Sequence, residues 1–129
     1  MPKAVLDSSA LLAVIENEPG QDSVIPYLDG GLVSAVNIAE VITKLLHRGA
    51  PQAKVEQILE NLPIIHCDLD QRLAADTGFL TPHTKSYGLS LGDRACLALG
   101  IAKNLPVLTA DKAWSKVDLD DEVQVIRSS

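Results

Sequence analysis

AVLDSSALL, residues 4–12, changes character at its middle. Ala4-Val5-Leu6 is a short apolar run that predicts a buried strand. From Ser8 to Ile15 the spacing of Leu11, Leu12, Val14 and Ile15 predicts a helix. The two meet at an acid, Asp7. Burying an unpaired carboxylate costs several kcal/mol, so Asp7 must cap the helix, meet a partner or hold a metal.

The rest of the chain repeats the strand-then-helix alternation. Strands are predicted over residues 3–6, 32–35, 63–66, 106–109 and 123–126. Helices are predicted over 8–15, 21–29, 36–48, 51–61, 69–80 and 91–103, with Pro26 expected to kink or shorten the second. Gly49 is a stop signal, and Pro51 suits the first position of the helix that follows. Residues 81–88, with Pro82 and Gly88, read as a polar loop. The strands are short and apolar without period two, which means a parallel sheet covered on both faces. The expected architecture is a three-layer α/β/α sandwich around a mainly parallel sheet of four to five strands. It fits one domain over residues 1–129. In such sheets ligands bind beyond the carboxyl ends of the strands, where the strand order reverses. Asp7 stands at that end of the first strand.

Composition narrows the class. The chain is 47% apolar and 22% charged, which allows a core and excludes disorder. Every apolar run falls short of the roughly 18 residues of a membrane span. The start, MPKAVLD, has no signal-peptide apolar region, so the sequence reads as soluble and cytoplasmic, with no membrane partner. Cys67 and Cys96 lie outside any metal-binding spacing and read as reduced thiols. His47, His66 and His83 likewise lack metal-ligand spacing. A net charge of −6 opposes nonspecific binding to nucleic acid but permits a site whose acids hold cations.

Four acids stand out, and each has a plainer explanation. Asp7 can cap the first helix. Glu40, in the first turns of the 36–48 helix, suits the helix dipole. Asp93 completes a capping box with Ser90 in Ser-Leu-Gly-Asp. Asp111, after the 106–109 strand, can start a turn. A doubly wound sheet brings all four toward one edge, however, and capping gives no reason for caps to meet. Mg²⁺ or Mn²⁺ does: hard cations take carboxylate oxygens.

At these residues the chain resembles the PIN-domain nucleases, and among them the VapC-type toxins of toxin–antitoxin pairs. The resemblance rests on VLDSSALLA (5–13), SAVNIAEV (34–41), LSLGDRACLALG (89–100) and VLTADKAW (107–114), in the family's order. It implies a metal-dependent endoribonuclease with Asp7, Glu40, Asp93 and Asp111 as the acidic quartet around Mg²⁺ or Mn²⁺. It also implies a cognate antitoxin and a homodimer. Ser9 and Thr109 fall on hydroxyl positions beside the quartet, and Asn37 lies one helical turn before Glu40.

Lys44, His47 and Arg48 follow Glu40 by four, seven and eight residues and share roughly one helix face with it. They are candidates to hold RNA phosphates flanking the cut; the alternative is a solvated helix end. Arg94 and Lys112 each neighbour a quartet acid and are weaker candidates. Aromatic residues make up 3% of the chain, too few for a base-stacking platform, so RNA choice would rest on shape and backbone. Two rivals remain. A haloacid-dehalogenase-like phosphatase also ends its first strand in an aspartate, but wants a second acid two residues on, where this chain has Ser9. A PIN-like module could bind RNA or protein without cutting.

Overall fold

The computed structural model describes residues 3–110 and the backbone of 123–125. Five strands, β1 (Val5–Leu6), β2 (Leu32–Ser34), β3 (Ile65–Cys67), β4 (Val107–Thr109) and β5 (Val123–Val125), form one sheet in the order β3-β2-β1-β4-β5. Every pairing is parallel, and Val5 stands in register with both Leu32 and Val107. The helices are α1 (Ser8–Ile15), α2 (Gln21–Leu28), α3 (Ala35–His47), α4 (Gln52–Asn61), α5 (Gln71–Phe79), α6 (Thr81–Thr84) and α7 (Leu91–Lys103).

Alternate strand residues feed two separate cores. Ala4, Leu6, Val33 and Leu108 pack with Leu11, Val24, Val41, Leu45 and Val55, on the side of α1 to α4. Val5, Leu32 and Val107 pack with Cys96, Leu97 and Leu99 of α7, and Leu73 and Leu80 lean on this cluster from the α5 side. Both faces are covered, so both sets of alternating positions must be apolar. That removes the period-two signal and gives the three-layer α/β/α sandwich.

Helix ends follow their sequence cues. Asp7, Ser34, Asp70 and Ser90 each cap a helix through a side-chain oxygen. Asn104 closes α7 in the left-handed conformation, with φ of 54°. Pro26 lies inside α2, which ends two residues later at Leu28. Pro51 stands one position outside α4, at its N-cap.

One expectation is corrected. Residues 81–88 are not a plain loop. Thr81–Thr84 is a helical turn carrying Pro82 at its start, where a missing N–H costs nothing. A 3₁₀ turn, Lys85–Tyr87, follows, and Gly88 ends it with φ of 70°. Thr84 is buried and donates to the Leu80 carbonyl at 3.1 Å. No helix among the described residues is long and apolar enough to cross a membrane.

Candidate active site at the carboxyl edge of the sheet

The chain runs outward from β1 through β2 to β3, then crosses back to β4 on the other side of β1. The strand order therefore reverses between β1 and β4, and the residues beyond their carboxyl ends frame the expected crevice.

Asp7 follows β1 directly and is 3% exposed. Its Oδ1 accepts from the Ala10 amide at 2.8 Å, which caps α1, and from the Ser9 hydroxyl at 2.7 Å. Ser9 Oγ in turn accepts from the Ala110 amide at 2.9 Å and lies 3.4 Å from Thr109 Oγ1. A continuous relay thus joins the end of β4 to the acid at the end of β1. Burial pushes the Asp7 carboxyl up to about 6; bonds from Thr109, Ala10 and Ser9 pull against that, and the nearby charge of Asp93 adds to it. The cap on α1 is made through Oδ1.

Asp93 lies in the first turn of α7. Its Oδ2 accepts from the Ser90 amide at 2.8 Å, and its own amide donates to Ser90 Oγ at 3.2 Å, completing the capping box. Glu40, on α3, reaches α7 from the other side. Its carboxyl occupies the place a Cβ on Gly92 would take. Asn37, 1% exposed, donates from Nδ2 to Glu40 Oε1 at 2.8 Å and to the Gly92 carbonyl at 3.2 Å. Its Oδ1 is buried without a hydrogen-bond partner among the described residues.

The charge of Asp93 is therefore felt at Asp7, and Glu40 sits beside residue 92. Among the described residues, no three His, Cys, Asp or Glu side chains close into a group that could hold a metal ion. Asp111 and Lys112 lie outside the described residues. Of the basic candidates, Lys44 and His47 are exposed on the last turns of α3. Arg48 pairs with Glu16, and Arg94 is spent on the Thr77 carbonyl at 3.2 Å and Thr81 Oγ1 at 2.8 Å, holding the α5–α6 junction. Sequence reasoning missed Gly92 and the Ala110 amide. A glycine inside the first turn of a helix was the available signal for Gly92; nothing local marked Ala110.

The family model for the PIN domain matches residues 4–119, and the chain belongs to the PIN-domain family. Its fold is similar to that of a toxin–antitoxin complex from Klebsiella pneumoniae, at 16% identity and a TM-score of 0.75, with 98% of this chain and 99% of that one covered. It is equally similar to VapBC from Salmonella typhimurium, solved bound to DNA: 16% identity, TM-score 0.75, 96% and 98% covered. VapC20 of Mycobacterium tuberculosis, described as a toxin cleaving the sarcin-ricin loop, matches at 12% identity and a TM-score of 0.70, with 88% and 95% covered. Against curated protein sequences the chain has no significant match.

Proposed function

We propose that this chain is a metal-dependent endoribonuclease, the toxin of a toxin–antitoxin pair, working as a cytoplasmic homodimer restrained by its antitoxin. The observation that carries the reading is Asp7. A carboxylate buried at the strand-order reversal, held by three hydrogen-bond donors and within reach of the charge of Asp93, is an expensive arrangement if capping is its whole purpose. Membership of the PIN-domain family and the fold likeness to toxin–antitoxin toxins support the same reading.

Asp7, Glu40 and Asp93, with Asp111, would hold Mg²⁺ or Mn²⁺. The donor set fits in kind: all are hard carboxylate oxygens. Bound there, the cation would supply Lewis acidity toward the scissile phosphate and a readily ionised water. The protein's own contribution is to fix the acids. Ser9 and Thr109 hold Asp7, and Asn37 holds Glu40. Lys44 and His47, exposed on the last turns of α3, would meet backbone phosphates; Arg48 would have to leave Glu16 to join them.

The test is cleavage of a panel of total RNA and transfer RNA by partner-free protein, with Mg²⁺, Mn²⁺ or chelator, beside Asp7→Asn and Asp93→Asn. Metal-dependent cuts at discrete sites, lost in both variants, are expected. Unchanged cutting by both variants would sink the site. A second reading is a PIN module that binds without cutting. It predicts RNA retention with no cuts and no stabilisation by Mn²⁺. Hydrolysis of small phosphate monoesters without RNA cleavage would instead favour a phosphatase.

A further inference from the structure

Gly92 occupies the first turn of α7, where alanine is the better helix former. The space its side chain would take is filled by the carboxyl of Glu40, the mobile end of a side chain rather than backbone. Asn37 joins the same two residues. Both of its amide hydrogens go to acceptors, Glu40 Oε1 and the Gly92 carbonyl, so the partners fix which way the amide points. Its Oδ1 is then left buried with no donor among the described residues, an unfavourable state that an apolar side chain of similar size would avoid. Helix propensity is forgone at residue 92 and a buried acceptor goes unsatisfied at residue 37. Both features lead to one outcome, the location of the Glu40 carboxyl.

We propose that Gly92 and Asn37 are positioning residues that seat the Glu40 carboxyl against the first turn of α7, beside Asp93, and that residue 92 must lack a side chain for the site to form. This rests on reading Glu40 as a site acid. An alanine at 92 leaves the backbone where it is and swings Glu40 off its seat, breaking the bond from Asn37. The fold survives and the site does not.

The experiment uses the full chain and the variants Gly92→Ala, Asn37→Leu, Glu40→Gln and the double variant Gly92→Ala/Glu40→Asp. Three readouts are taken: the side-chain amide NMR signals of Asn37 without metal, the melting temperature with Mn²⁺ against chelator, and RNA cleavage. Gly92→Ala is expected to displace the Asn37 amide signals, keep the chelator melting temperature near wild type, and remove the Mn²⁺ stabilisation as fully as Glu40→Gln does. Cleavage should fall roughly 10- to 100-fold. The shorter acid in the double variant should recover part of both losses. Asn37→Leu should melt at or above wild type in chelator while losing the Mn²⁺ response. If Gly92→Ala leaves the Asn37 signals in place and keeps the full Mn²⁺ shift, residue 92 is a packing position and the proposal falls. A wild-type chain with neither Mn²⁺ shift nor cleavage would overturn the nuclease reading instead; the Asn37 signals would still decide whether Gly92 seats Glu40.

Discussion

At Asp7 burial and ionisation pull in opposite directions, and the balance sets a pH dependence. Its carboxyl is raised to about 6, above its unfolded value, so the folded chain binds more protons than the unfolded chain between about pH 4 and pH 6. This group's contribution to stability is therefore greatest at the acid end and falls as pH rises, levelling off above about 6. Asp7→Asn keeps an oxygen for Ser9 and Ala10 but removes the charge. It should flatten that slope and, by urea denaturation without metal at pH 7.5, stabilise the chain by up to on the order of 3 kcal/mol. A variant that is more stable yet inactive would separate the acid's function from its capping. Ser9→Ala acts the other way. It cuts the relay from the Ala110 amide, should cost about 1 kcal/mol, and should move the Asp7 titration further up, read by carboxyl NMR.

At the scale of elements, the caps and apolar runs were legible because they are local. Asp7, Ser90 and Asp93 stand where the sequence places them, and the boundaries of the six predicted helices fall within two residues of expectation. What stayed hidden depends on pairs far apart in the chain. Glu16 with Arg48, Thr77 and Thr81 with Arg94, and Glu40 with Gly92 are joined only when helices pack. The helical turn at Thr81–Thr84 was hidden for a related reason: its buried Thr84 and the bond from Arg94 outweigh the look of a polar loop. These pairings sort the basic residues of α3. Lys44→Ala should raise KM for RNA several-fold with little change in kcat. Arg48→Ala, whose pair is largely solvent-facing, should cost about 0.5 kcal/mol of stability. Steady-state cleavage kinetics beside melting curves separate the two.

For the whole molecule, two cores flank a five-stranded sheet whose carboxyl edge, at β1 and β4, carries the candidate site. Because a cation would bind the folded chain alone, Mn²⁺ at about 100 times its Kd should add about 2.7 kcal/mol, a rise on the order of 10 °C in Tm. Scanning calorimetry with and without chelator checks it. Damage to a core should spread differently. Leu97→Ala, at the centre of the α7 side, should cost about 2–5 kcal/mol and lower Tm with or without Mn²⁺.

In the relay from Ala110 through Ser9 to Asp7, the step from Ser9 to Ala110 alone spans 101 residues of sequence. A ribosome makes Asp7 well before it makes Thr109 and Ala110, its supports at the end of β4. A growing polypeptide therefore holds this acid long before it holds the strand that steadies it. Under the proposed function, synthesis itself imposes a delay: the site stays unformed until β4 clears the exit tunnel, and that interval is time in which a partner can already be waiting.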